Sequence, residues 1–316
     1  MGRGRRPLSS SFKNQTITTT KRETKMKKTL LALLSAVLLI TVTQPAQAED
    51  QKVLAIIDTA IDSKQFPQVI YEACFAQNKT CPNNTNLMEG PGSASAVSAT
   101  SKWPTTGSTW MNSATYHGQS MVKAAIAVNP NVKIVFVRYA NVTPNGDSIN
   151  PAKSLVDAIA WVSKNADKYS IDALSISQSA VDKINLESCS TDKATIGAIA
   201  SLNAKNIPVF AATGNHKRTD VVGFPSCIPG VIGVGALHSS SQFEAVTNRG
   251  PGLDLVAFGK ISITKVTGHQ YDLAGTSGAT VVSASSYLAK NTYKTFQEYF
   301  NALPKVLINN VSYSFN

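Results

Sequence analysis

Short apolar runs alternate with amphipathic helical patterns along this chain. A parallel sheet covered on both faces is the arrangement that buries both. The strand-like runs are KVLAIIDTAID (Lys52–Asp62), VKIVFVRY (Val132–Tyr139), IDALSIS (Ile171–Ser177), IPVFAATGN (Ile207–Asn215), GVIGVGAL (Gly230–Leu237) and the short LDLVAFG (Leu253–Gly259). Between them lie HGQSMVKAAIAV (His117–Val128), PAKSLVDAIAWVSKNA (Pro151–Ala166) and KATIGAIASLNAKN (Lys193–Asn206). Leu155, Ile159 and Val162 share one helical face, as do Ile196, Ile199 and Leu202. A helix is also expected in LAGTSGATVVSASSYLAK (Leu273–Lys290), and a last one around Tyr293–Ala302. The polar stretch from about Gln65 to Tyr116 reads as loop. The expected fold class is α/β, a mostly parallel sheet with helices on both faces, in one domain over 49–316.

The N-terminus is expected to lie outside that domain. Lys27 and Lys28 precede the apolar run Leu30–Val42, and Ala46 and Ala48 sit where a cleavage site needs small residues. Residues 26–48 therefore read as a secretory signal peptide, and 1–25 as a basic, Ser/Thr-rich leader from a mis-assigned start. The formal charge of +11 belongs largely to this region. Residues 1–48 hold nine Lys/Arg and one acid, which leaves 21 basic and 18 acidic residues, about +3, in the rest. The basic balance is thus no argument for a nucleic-acid or membrane partner. The expectation is a secreted or periplasmic monomer, without stable membrane association after cleavage.

Four cysteines, Cys74, Cys81, Cys189 and Cys227, fit two disulfides in an oxidising compartment. Three pairings are open; Cys74–Cys81 with Cys189–Cys227 is preferred. Zinc-site spacing is absent.

In such sheets ligands bind at the carboxyl ends of strands. Asp58, Ser177 to Ser179 and Asn215 lie at or just past such ends. Together with His117 and Ser277 they supply what nucleophilic acyl transfer needs. Ser277 could serve as the nucleophile, His117 as its base, Asp58 as the acid that orients the base, and Asn215 as an oxyanion donor. Singly, each has a plainer use: Asp58 or Asn215 in a turn, Ser277 as a helix N-cap.

In order and in motif these residues resemble the subtilisin-like serine proteases, the subtilases. IIDTAID is similar to the Asp motif, YHGQS to the His motif, VFAATGN to the oxyanion segment and LAGTSGAT to the serine motif. FPSCIPGVIGVGAL and GPGLDLVAFG match as well. The resemblance implies a three-layer fold and a serine endopeptidase acting on protein or peptide substrates. It places Asp58, His117, Ser277 and Asn215 in the catalytic roles, and the backbone of Ser177, Gln178 and Ser179 along the substrate. No cofactor is implied; family members often hold structural calcium, for which no acidic cluster can be assigned here. The α/β-hydrolase alternative fails, because no His or Asp follows Ser277.

The motifs also depart from the pattern. Ala60 stands for Gly, Gln119-Ser120 for Thr-His, Lys123-Ala124 for Ala-Gly, Gly278 for Met, and Thr280-Val281 for Ser-Pro. Cleavage after Ala48 would leave nine residues, Glu49–Ile57, before Asp58, too few for the family's propeptide. These departures define the alternative, an inactive binding module on the same scaffold.

Overall fold

The computed structural model describes residues 51–95, 113–142, 148–149, 151–264, 270–290 and 292–316. The expected leader and signal peptide lie outside them, as does the second part of the polar stretch before His117. Residues Ala48–Asn316 form one compact unit.

β-Branched, apolar sequence makes the first strand, β1 (Val53–Asp58), buried at every position. It is followed by β2 (Val69–Phe75), β3 (Leu87–Glu89), helix α1 (Ser113–Val128) and β4 (Lys133–Arg138). A small hairpin, β5 (Asn141–Val142) with β6 (Ser148–Ile149), leads to α2 (Ala152–Asn165) and β7 (Ile171–Ile176). Helices α3 (Lys183–Thr191) and α4 (Lys193–Ala204) precede β8 (Val209–Ala212) and β9 (Val231–Ser239). Then come β10 (Gln242–Phe243), β11 (Leu255–Phe258), and a second hairpin of β12 (Ile261–Thr264) and β13 (Gln270–Leu273). The chain closes with α5 (Thr276–Ala289), α6 (Phe296–Ala302), β14 (Lys305–Ile308) and β15 (Val311–Phe315).

The main sheet runs β14-β15-β11-β9-β8-β7-β1-β4-β2-β3, with β10 on β9. Every pair from β15 across to β2 is parallel; β14, β3 and β10 add antiparallel edges. Side chains alternate along β1 and sort the two layers. Leu54 and Ile56 pack with Met121, Val122 and Ala125 of α1 and with Ala279, Val281 and Leu288 of α5. Val53, Ala55 and Ile57 face Leu155, Ile159 and Val162 of α2 and Ile199 and Leu202 of α4. This is the expected α/β class with helices on both faces.

The loop expected from Gln65 onward is corrected by β2, which lies parallel on β4. Its sequence, VIYEACF, carries a charge at its middle and sits among turn-forming residues. That charge is consumed internally: buried Glu72 accepts from the amides of Gly92 (3.1 Å) and Ala94 (3.0 Å). The last helix starts at Phe296 rather than Tyr293, because the Thr295 hydroxyl accepts from the Glu298 amide and caps it there.

Both preferred disulfides are present, with Cα atoms 5.9 Å apart for Cys74–Cys81 and 5.6 Å for Cys189–Cys227. They close spans of 7 and 38 residues. Chain entropy then predicts about 4 kcal/mol from Cys189–Cys227 and about 2 kcal/mol from Cys74–Cys81. Thermal melts of the two Cys-to-Ala pair variants should therefore show the larger drop for Cys189/Cys227; the reverse order would refute this estimate.

Candidate active site

Asp58 ends β1 and is fully buried. Its Oδ1 accepts from the Thr59 amide at 2.6 Å and pairs with His117 Nδ1 at 2.7 Å. A carboxylate can only accept, so the imidazole proton sits on Nδ1 and the Nε2 lone pair is left free. Among the described residues Asp58 Oδ2 has no hydrogen-bond partner. The His117 side chain is 25% exposed, so its outer edge reaches solvent.

Local packing explains the glycine after His117. The Gly118 amide donates to Thr59 Oγ1 at 3.1 Å, and a Cβ at Gly118 would collide with the Ala60 carbonyl. Only a bare α-carbon lets α1 approach the end of β1 closely enough for the Asp58–His117 bond. Burial pushes the His117 pKa down, but the charge of Asp58 and its hydrogen bond outweigh this, so the net shift is upward from 6.5. Tyr139, buried beside this pair, is held well above its ordinary value, by burial first and then by the Asp58 charge. It stays protonated and offers no rival base.

Ser277 lies in the first turn of α5, and the N-cap is Gly275, at φ +123°. Ser277 is thus not the N-cap. A Cβ at Gly275 would lie 3.0 Å from the amide atoms of Asn215, in a conformation L-residues avoid. Asn215, exposed in the turn after β8, accepts through Oδ1 from the Thr276 amide (3.0 Å) and the Thr276 hydroxyl (2.9 Å). This fixes the orientation of its amide and leaves Nδ2 as a donor without a hydrogen-bond partner among the described residues, beside the start of α5. Thr276, which sequence reasoning passed over, is the link that aims Asn215. Its only signal was a hydroxyl directly before the serine.

Ser177 follows β7 and meets Ser277 reciprocally. Ser277 Oγ donates to the Ser177 carbonyl, and Ser177 Oγ donates to the Ser277 carbonyl, both at 3.0 Å. Among the described residues, the Ser277 hydroxyl is thus directed to Ser177 rather than to His117. Gln178 and Ser179 are partly exposed, and Ser179 Oγ donates to the Thr213 carbonyl at 3.2 Å. One residue further on, Ala180 and Phe224 exchange backbone bonds of 3.0 and 2.8 Å. The structure therefore gathers all seven sequence-derived residues around the carboxyl ends of β1, β7 and β8 and the start of α5.

Gly278 has a local cause as well. A Cβ there would lie 2.9 Å from Ile261 Cδ1 and 3.2 Å from the Gly259 carbonyl, where the β12–β13 hairpin crosses the helix start. The described residues hold no group of three or more His, Cys, Asp or Glu side chains placed for a metal ion. No described helix is long and apolar enough to cross a membrane.

The model of the subtilase family matches residues 49–311. The chain belongs to the subtilase family. Over 88 residues this subtilase is 36% identical to an intracellular serine protease of Paenibacillus polymyxa, a match covering 26% of this chain and 27% of that protein. The chain thus aligns with about a quarter of that relative's length. In fold it is similar to a protease of Pseudoalteromonas arctica, with TM-score 0.56 and 17% identity over 75% of this chain and 76% of that one. A lanthipeptide protease gives TM-score 0.54 and 16% identity over 80% of this chain and 76% of that one. At such identities the likeness is one of fold.

Proposed function

We propose that this subtilase is a secreted or periplasmic serine endopeptidase acting on protein or peptide substrates. The observation that carries the proposal is the buried Asp58–His117 bond at the end of β1, with Ser277 bonded to Ser177 just past the neighbouring strand β7 and Asn215 bonded to Thr276 before it. In the reaction, His117 Nε2 takes the Ser277 hydroxyl proton as Oγ forms a bond to the substrate carbonyl carbon. The carbonyl electrons move to oxygen, where Asn215 Nδ2 and the Ser277 N–H receive the charge. The imidazolium, stabilised by Asp58, returns the proton to the leaving amine as the C–N bond breaks. Water then attacks the acyl-enzyme by the same route and regenerates Ser277. To begin, the Ser277 hydroxyl turns from the Ser177 carbonyl toward His117. Free enzymes often show such loose alignment before substrate binds. The location is supported by two disulfides, which persist in oxidising compartments.

The second reading, an inactive binding module, is favoured by the Ser277–Ser177 bond and by the altered residues flanking the motifs. Intact-mass analysis after treatment with a serine-directed fluorophosphonate separates the two. One adduct on the wild type and none on Ser277→Ala supports the peptidase; no adduct on folded, oxidised protein favours the module.

Two expected results arise here. Asn215→Ala should lower kcat by about 10²–10³-fold, the range for loss of one oxyanion donor. Unchanged turnover would remove Asn215 from the site. Activity should also depend on pH through His117, which must be neutral to accept a proton. Because its pKa is raised, the protonated, inactive form persists to higher pH, and kcat/KM should climb above the ordinary imidazole range. A flat profile from about pH 5 to 9 is incompatible with this role.

A further inference from the structure

A fully buried side chain outside the four motif segments holds the Asn215 turn from the inside. Asn248 is 0% exposed and spends its polar groups on residues 213–218. Its Oδ1 accepts from the amides of His216 (2.9 Å) and Arg218 (3.1 Å), and its Nδ2 donates to the Thr213 carbonyl (3.0 Å). Its own backbone amide donates to the Gly214 carbonyl at 2.8 Å. Asn215 is thus bracketed on both sides by bonds to one residue. The two accepted amides fix which end of the Asn248 side chain is oxygen.

The turn has little slack. Gly214 has φ +109°, and a Cβ there would lie 2.5 Å from Asn248 Nδ2 and 2.7 Å from Ser179 Oγ. The Thr213 carbonyl collects three donors: the Gly223 amide (2.9 Å), Asn248 Nδ2 (3.0 Å) and Ser179 Oγ (3.2 Å). From the α5 side the Thr276 hydroxyl accepts from the Gly214 amide at 3.3 Å and Asn215 reaches Thr276 through its own side chain, so Asn248 is the residue that bonds the turn's backbone both before and after Asn215.

We propose that Asn248 is a positioning residue for the oxyanion donor, acting on turnover through Asn215 and not through substrate binding; this rests on the hydrolytic reading above. A donor displaced by a fraction of an ångström loses charge stabilisation in the transition state while ground-state binding is kept.

The test is a double-mutant cycle on the full chain, using a fluorogenic peptide the wild type cleaves. Asn248→Ala should lower kcat by about 10- to 100-fold, the scale of a small misplacement of a reacting geometry, with KM within about twofold. In the Asn215→Ala background the same change should cost less than about threefold, because the group it aims is gone. Equal losses in both backgrounds, or a loss falling on KM, would overturn the proposal. If Asn248→Ala does not fold, Asn248→Ser, neutral and still polar, takes its place, since its shorter side chain cannot span residues 213–218 as Asn248 does; its loss should be equally dependent on Asn215. Amide hydrogen exchange supplies a readout independent of turnover: His216 and Arg218 should exchange faster in the variant, and unchanged exchange at both sinks the idea. A wild type that turns over nothing refutes the hydrolytic reading alone, and exchange then decides whether Asn248 holds the turn.

Discussion

Ser277→Ala is expected to lower peptide hydrolysis by about 10⁶-fold, the scale of removing the nucleophile from such a triad. The reason is covalent. Without Oγ there is no acyl-enzyme, and His117 has no proton to take during the first step. Some rate enhancement over water should remain, because Asn215 and the α5 N-terminus can still stabilise an oxyanion formed by direct water attack. The fold should hardly respond. The side chain is only partly buried, and its hydrogen bond to the Ser177 carbonyl contributes about 1 kcal/mol. A melting temperature within a few degrees of wild type would therefore accompany the loss of turnover and of fluorophosphonate labelling. Labelling that persists in the variant would mean that another nucleophile reacts.

The second large effect is expected at Asp58. Asp58→Asn should cost about 10⁴-fold in kcat, because an amide turned to donate toward Nδ1 stabilises the tautomer with its proton on Nε2, which cannot act as base. The pH profile gives a separate signature. Asp58 supplies both influences that raise the His117 pKa, and burial, which lowers it, remains in the variant. The ionisation of His117 should therefore move down, and the residual activity should rise at lower pH than in wild type. A loss below about tenfold, or an unmoved acidic limb, would show that Asp58 does not orient His117. Stability should fall too, since the turned amide places its NH2 at the Oδ1 position, where the buried Thr59 amide loses that acceptor, and a buried donor deprived of its acceptor costs about 1–3 kcal/mol.

The alternation of β-branched runs with helical periods was enough to place β1, β4, β7, β8 and β9, because each is an apolar segment buried on both faces and its sequence carries that burial directly. The residues at the ends of those strands were legible for the same reason. A polar group that terminates a buried strand is conspicuous, and Asp58, Ser177 and Asn215 stand there. The edge elements were not legible. β2 reads as loop because Glu72 interrupts it, and only the amides of Gly92 and Ala94, twenty residues or more away, make a charge acceptable there. The β14–β15 pair is short and half-exposed and the β12–β13 pair is only four residues long on each side, so their sequences lack the apolar density that marks the centre.

What the sequence by itself determined is the set of chemical groups, their order, and the sheet that presents them, since these follow from residue type and periodicity. What only the tertiary structure decided is how those groups are held. The collision that demands Gly118, the aiming of Asn215 by Thr276, the turn of Ser277 toward Ser177 and the brace supplied by Asn248 all join residues far apart in the chain. Each depends on distances of about 3 Å between separate elements, and no local pattern of residues encodes such a distance.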